Sequence, residues 1–93
     1  MANRVILSPA AERQISRIRG VGRLALRGVI RSLATDPRPP GALKVAGLRN
    51  VWRVRVRVDD QSWRIIYRID VRRNEIVIAR VAMREERTYR GLR

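Results

Sequence analysis

The sequence has 93 residues and a mass of 10.8 kDa, enough for one small domain, residues 1–93, with a single modest core. Its 22 Lys and Arg residues against 8 Asp and Glu residues give a formal net charge of +14, which points to a polyanionic partner. Because Cys and His are both absent, the sequence excludes disulfides, thiolate metal sites and an imidazole general base, and we predict no metal and no cofactor.

The first third of the chain predicts one short strand followed by two helices. Residues 4–7 form the strand, and Ser8 and Pro9 have the chemistry of an N-cap and a first helical residue. Apolar residues at helical spacing then predict a first helix ending near Gly20 and a second over residues 23–33. No apolar run is long enough for a membrane span or a signal peptide, so we expect a soluble cytoplasmic protein.

Two basic features of this region stand outside the predicted core. Arg23, Arg27 and Arg31 recur every four residues on the second helix, a pattern that favours a solvated helix surface over direct contact with nucleic acid. Residues 36–50 are rich in Pro and Gly and predict a loop that carries Lys44, the only lysine of the chain.

A cationic hairpin dominates the second half of the sequence. Apolar and basic residues alternate strictly over residues 51–58, which predicts a strand with one apolar and one cationic face, and a second strand follows the break at 59–61. The hydrophobic pattern suggests that Val58 lies opposite Trp63. In that register Arg64 lies opposite Arg57, and Arg68 lies opposite Arg53. Together with Arg55, these residues place five arginines on one face of the hairpin. Like charges on adjacent strands repel, so we expect an anionic ligand to offset this cost.

Residues 75–82 predict a third long strand, apolar on both faces and therefore central in the sheet, and residues 83–93 form a polar tail. The element order is β-α-α-β-β-β. We predict an α+β fold in which both helices cover one face of a small, mostly antiparallel sheet. The residues buried beneath the helices are predicted to include Trp52, Val54, Val56, Trp63, Ile65, Tyr67 and Ile69.

The chain resembles the RelE/ParE superfamily of toxins from type II toxin-antitoxin modules. The resemblance rests on the order of the predicted elements and on four segments: the loop at 44–48, the strands at 52–57 and 63–69, and residues 81–84 with Tyr89. The resemblance covers nearly the whole chain. It implies a RelE-like fold and an endoribonuclease that cuts mRNA in the ribosomal A site, with the ribose 2′-hydroxyl attacking the adjacent phosphate. It also implies a cognate acidic antitoxin that wraps the toxin and blocks or distorts its basic face.

Site residues follow from the same comparison. Arg53 and Arg55 fall where RelE-type toxins carry basic residues, Arg64 and Arg84 match two further basic residues, and Tyr89 matches a substrate-contacting tyrosine. The resulting catalytic set is Arg55, Arg64, Arg84 and Tyr89, and the predicted RNA-binding set is Arg53, Arg57, Arg68 and Lys44.

The chain departs from the family pattern at two places. Met83 stands where many relatives have a histidine, and arginines replace strand lysines that could act as bases. Because a guanidinium is effectively never deprotonated, we expect metal-independent, electrostatic catalysis that stabilises the charge on the scissile phosphate. Glu85, Glu86, Tyr89 or the ribosomal RNA could transfer the protons.

Two alternatives stay open at the level of sequence. One is a ParE-like protein that poisons DNA gyrase without cutting RNA, and the other is a non-catalytic basic module that binds RNA or ribosomes.

Overall fold

The computed structural model describes residues 2–83. Within this range none of the helices is long and apolar enough to cross a membrane. The helices and strands are, in chain order, β1 (Arg4–Leu7), α1 (Pro9–Ser16), α2 (Gly20–Ser32), β2 (Leu43–Lys44), β3 (Val51–Val58), β4 (Gln61–Asp70) and β5 (Glu75–Met83).

The strands form one open sheet in the order β1-β5-β4-β3-β2. β1 and β5 run parallel, and every other neighbouring pair is antiparallel. α1 packs on β5 and α2 packs on β3, so both helices cover the same face of the sheet. The predicted α+β architecture is confirmed, including the position of β5 between two neighbours. The structure adds the two-residue strand β2, which is too short to show an alternating pattern in the sequence.

The helix boundaries differ slightly from those predicted. Ser8 caps α1 as expected, because its hydroxyl accepts a hydrogen bond from the Ala11 N–H at 3.1 Å. α1 ends at Ser16 rather than near Gly20, and α2 already begins at Gly20, whose φ of +69° is a conformation that favours glycine. The glycines therefore belong to the start of α2 instead of separating two longer helices.

The core lies between the helices and the sheet. α2 contributes Leu26, Ile30 and its C-cap Leu33, and the central strands contribute the largest set of buried side chains: Val54, Val56, Trp63, Ile65, Tyr67, Ile69, Ile76, Ile78 and Val81. Trp52 is the exception among the residues predicted to be buried. It is only half-buried, and the Arg38 guanidinium carbon lies 5.5 Å from the centroid of its ring. This distance is within range for a cation–π contact, which explains how the indole is accommodated at the rim of the core.

The register of the β3–β4 hairpin corrects the predicted one. Val58 lies opposite Gln61 rather than Trp63, so Arg64 faces Arg55 instead of Arg57. Arg68 faces Val51 instead of Arg53. The physical reason is the turn, which needs only residues 59–60 because Asp59 adopts a positive φ of 54°. A shift of two residues leaves every side chain on its predicted face, so hydrophobic alternation alone could not detect the error.

Candidate nucleic-acid interface

The face of the sheet opposite the helices is lined with arginines. Alternation sends the odd-numbered residues of β3 and the even-numbered residues of β4 away from the helices, since their neighbours along each strand are buried. β5 adds one more arginine to the same surface. We call this surface the basic face, and its arginines, from three adjacent strands, are Arg53, Arg55, Arg57, Arg64, Arg68 and Arg80.

The arginines closest together lie around an open groove. Arg55 and Arg64 are directly opposite each other on β3 and β4, and Arg53 is two residues further along β3. Residues directly opposite in an antiparallel pair have Cα atoms only about 4.5–5.5 Å apart. These three arginines, with Gly41 and Leu43, line a groove of about 320 Å³. The groove is therefore a concave surface lined by three arginines from two adjacent strands.

Few carboxylates neutralise the basic face. Among residues 2–83, the ion pairs are Arg4 with Glu75 and Asp70 with both Arg68 and Arg73, so Arg68 is the one basic-face arginine that pairs with a carboxylate there. The Arg73 backbone N–H donates to the Asp70 carboxylate at 3.1 Å, and this bond, with the two neighbouring guanidiniums, lowers the pKa of Asp70. Asp70 thus stays anionic at one end of the face, whereas the three arginines of the groove have no carboxylate partner among residues 2–83.

A β-bulge places Arg80 on the basic face. The pairing of β4 with β5 shifts between Ile66 and Tyr67, which face Arg80 and Ile78, so Ala79 is the extra residue. Ile78 and Val81 are both buried, although in a regular strand residues i and i+3 point to opposite faces of the sheet. Regular alternation predicts that Arg80 faces the core with Ile78, so the site predicted from sequence does not include it. The pattern Ile78-Ala79-Arg80-Val81, with an arginine where strict alternation needs an apolar residue, was the available signal.

A family model described as the ParE toxin of the type II toxin-antitoxin system, parDE, matches residues 5–88. The chain belongs to the ParE toxin family. No curated protein sequence matches this ParE-family chain.

The ParE-family chain is similar in fold to solved RelE toxins. The intact RelBE toxin-antitoxin complex of E. coli matches with a TM-score of 0.78 at 15% identity, covering 91% of this chain and 100% of that one. The RelBE2 complex of Mycobacterium tuberculosis matches with a TM-score of 0.75 at 21% identity, covering 90% and 100%. The archaeal RelE-RelB complex of Pyrococcus horikoshii OT3 matches with a TM-score of 0.72 at 19% identity, covering 92% and 99%. The predicted membership of the RelE/ParE superfamily is confirmed.

The structure brings together most, but not all, of the predicted site residues. Arg53, Arg55 and Arg64 share the groove, while Arg57 lies beside the hairpin turn and Arg68 towards the acidic end. Lys44 does not join them, because it lies opposite Trp52, whose side chain is on the helix side of the sheet. The remaining two predicted catalytic residues, Arg84 and Tyr89, lie outside the described residues.

The chemistry of the groove is electrostatic. The side chains that line it within residues 2–83 are arginines and aliphatic residues, so none of them is a carboxylate, imidazole or thiol of the kind that serves as a general acid or base. The phenol of Tyr67 is fully buried on the other side of the sheet, where its hydroxyl donates to the Pro37 carbonyl at 2.6 Å and burial raises its pKa to about 12. The groove is suited to binding a phosphate and stabilising charge on its oxygens, while proton transfer requires groups from elsewhere.

The ParE-family chain has a second basic surface on the helix side. A groove of about 450 Å³ runs between β1, α1 and α2, with an apolar lining that includes Val5 and Ile15. The arginine stripe of α2, whose spacing predicts a solvated helix surface, also lines this groove, so that three cations stand against one carboxylate there: Arg23, Arg27 and Arg31 against Glu12. A groove with apolar walls and cationic edges differs from the basic face, because it offers apolar area as well as charge.

Proposed function

We propose that this toxin is a ribosome-dependent endoribonuclease that binds mRNA on its basic face. The observation that carries the proposal is the convergence of Arg53, Arg55 and Arg64 on one groove without a carboxylate partner among residues 2–83. Clustered like charges destabilise a sheet, and a bound phosphate offsets that cost. The likeness to RelE toxins supports the fold on which this activity would depend.

In the proposed reaction the ribose 2′-oxygen attacks the adjacent phosphorus. A bond forms between the 2′-oxygen and phosphorus while the bond from phosphorus to the 5′-oxygen breaks. The products are a 2′,3′-cyclic phosphate and a 5′-hydroxyl, since the proton lost by the 2′-hydroxyl is balanced by one gained at the leaving oxygen. Arg55 and Arg64, on facing positions of two strands, hold the non-bridging oxygens as the phosphorus becomes pentavalent. Arg84 and Tyr89 remain predicted participants.

This chemistry predicts slow cleavage away from the ribosome. Positioned acid and base groups typically add about 10²–10⁴-fold to a rate, and the groove side chains do not supply them. In our proposal the protons pass through Glu85, Glu86 or Tyr89, or through ribosomal RNA at the site of cleavage. RNA without ribosomes should therefore bind to the toxin at physiological salt concentration but be cleaved slowly. Translating ribosomes should accelerate the cleavage.

Primer extension on an mRNA in translating ribosomes tests the activity directly. We expect new 5′ ends within the coding sequence for the wild-type toxin and none for the double variant Arg55→Gln, Arg64→Gln. Arg72→Gln serves as the control for loss of surface charge and is compared with each of the single variants Arg55→Gln and Arg64→Gln, because it removes one charge from an exposed residue in the turn between β4 and β5. Intact mRNA in the presence of wild-type toxin would refute the nuclease proposal.

A gyrase poison is the second candidate, and the match to the ParE family model favours it. A supercoiling assay with purified DNA gyrase separates the two activities. Inhibition of supercoiling together with intact mRNA would establish the second candidate. RNA binding without either activity would indicate a non-catalytic module that occupies ribosomes.

We also propose that the partner of this toxin is a cognate acidic antitoxin. Two observations support it: the net charge of +14, and the presence of an antitoxin in the RelBE and RelE-RelB structures of similar fold. The helix-side groove, with apolar walls between Arg23, Arg27 and Arg31, fits an amphipathic acidic segment. Co-expression of the toxin with an acidic protein encoded next to it should abolish growth arrest and yield a stable complex.

A further inference from the structure

An isoleucine occupies the middle of the basic face. Ile66 points away from the helices, because Ile65 and Tyr67 on either side of it are fully buried in the core. It is half-buried itself and does not belong to the core cluster or to the residues packed against it. The core therefore does not explain an aliphatic side chain at this position.

Four arginines surround Ile66. Arg53 on β3 and Arg80 on β5 lie directly opposite it on either side, and Arg64 and Arg68 are its same-face neighbours along β4. Facing residues have Cα atoms about 4.5–5.5 Å apart, and same-face neighbours along a strand are about 7 Å apart. The arrangement on the sheet is a small apolar patch with an arginine residue on each of its four sides.

This arrangement fits a nucleotide better than a phosphate alone. A phosphate needs hydrogen-bond donors, which an isoleucine does not offer, and a surface that bound phosphates only would gain nothing from an apolar centre. A nucleobase has an apolar face that gains by leaving water, and proteins bind unpaired bases by stacking them on flat side chains and on guanidinium planes. The four arginines would then hold the phosphates and sugar around the base.

We propose that Ile66 is the floor of a base-binding subsite, on which an unpaired base of single-stranded RNA lies between the guanidinium groups of Arg53 and Arg80. The subsite depends on the bulge at Ala79, which turns Arg80 onto the basic face. The inference rests on the proposed binding of RNA at this face and adds the position and chemistry of one nucleotide.

Fluorescence anisotropy with two labelled oligomers tests the subsite. One is a single-stranded RNA, and the other is an abasic ribose-phosphate oligomer of equal length and equal charge. We expect the wild-type toxin to bind the abasic oligomer about five- to tenfold more weakly, which is the lower part of the range for one stacked base. Both oligomers should show the same salt dependence, since their phosphates are the same.

Two substitutions at one position connect this difference to Ile66. Ile66→Thr keeps the β-branched shape, which suits a strand. In this variant the affinities for the RNA and for the abasic oligomer should differ by no more than about twofold. Ile66→Tyr should increase the preference, because an aromatic ring stacks on a base better than an aliphatic chain does. Val77→Thr is the matched control, since Val77 is a β-branched residue on the same face, opposite Arg68, and should leave the preference unchanged.

The outcomes separate this inference from the proposed function. Equal preferences in the wild type and both Ile66 variants would overturn the subsite while leaving RNA binding intact. Failure of the wild-type toxin to bind either oligomer at low salt would refute RNA binding at this face and the subsite together. An Ile66 variant that binds RNA normally but loses an acidic antitoxin would show that the patch contacts protein instead.

Discussion

Arg64→Gln should make the fold more stable and the toxin weaker at the same time. Arg64 lies directly opposite Arg55 on the basic face, and among residues 2–83 neither has a carboxylate partner. Charged pairs directly opposite in a sheet change stability by roughly 0.2–1 kcal/mol, with like charges destabilising. Removing one guanidinium should therefore raise the free energy of unfolding by about 0.5 kcal/mol, which corresponds to roughly 2–4 °C in Tm for a domain of this size.

The effect on RNA binding should have the opposite sign. Each phosphate contact to a single strand contributes about 0.7 to the slope of log K against log salt concentration, so the slope should become shallower by about 0.7 in the variant. Thermal melting by circular dichroism and anisotropy titrations at several salt concentrations measure both quantities on the same preparation. Arg72→Gln, the same charge change on an exposed turn, should alter neither quantity appreciably.

The combination of results is what distinguishes a binding residue from a structural one. A structural arginine would lower the melting temperature when it is removed, and it would leave the salt slope as it was. If Arg64→Gln melts several degrees below the wild type with an unchanged slope, our account of the basic face is wrong.

Two predictions concern the core. Gly22→Ala should lower the free energy of unfolding by about 1–2 kcal/mol in urea titrations, because a Cβ at Gly22 would lie 2.7 Å from Cη2 of the buried Trp63. Gly28→Ala, whose added Cβ would meet no atom within 4 Å beyond its chain neighbours and the backbone of its own helix, should instead stabilise α2 by about 0.5–1 kcal/mol, and equal effects at the two sites would contradict the packing. Tyr67→Phe removes the hydrogen bond to Pro37 and should cost about 0.5–1.5 kcal/mol near neutral pH. Because burial raises the folded-state pKa of Tyr67 from 10.0 to about 12, the unfolded chain loses its proton first, and wild-type stability should fall between those pH values. The Phe variant should lack that decline in unfolding curves measured across the same interval.

The faces of the strands were predictable from sequence, and the pairing between them was not. Alternation over residues 51–58 and 62–69 correctly assigned the arginines to the basic face and, apart from the half-buried Trp52, the predicted apolar residues to the core, because the opposite assignment would bury guanidinium groups. The register depends on the backbone conformation of Asp59 in the turn, and the hydrophobic pattern carries no information about that conformation. The prediction was consequently wrong by two residues, and it paired Arg64 with Arg57 instead of Arg55.

The limits at the site have similar local causes. Arg80 was missed because a single inserted residue, Ala79, reverses the alternation half-way along β5. Lys44 lies on a strand that is too short for its face to be assigned before the pairing with Trp52 is known. The position of Ile66 among four arginines depends on the pairing of β4 with both β3 and β5. That pairing is not encoded in the hydrophobic pattern of any one strand.

The bulge in β5 depends on the first helix, which comes from the other end of the sequence. The Ser8 hydroxyl donates to the Ala79 carbonyl at 2.9 Å, and the Gln14 side-chain oxygen accepts from the Val81 N–H at 2.6 Å. These two bonds satisfy backbone groups that the irregular ladder would otherwise leave unpaired. The direction in which Arg80 leaves the sheet is thereby tied to residues on the opposite side of the molecule. Substitutions on α1, remote from any bound RNA, should accordingly act as modulators of toxicity, and screens for attenuated toxins should recover them alongside changes in the arginines themselves.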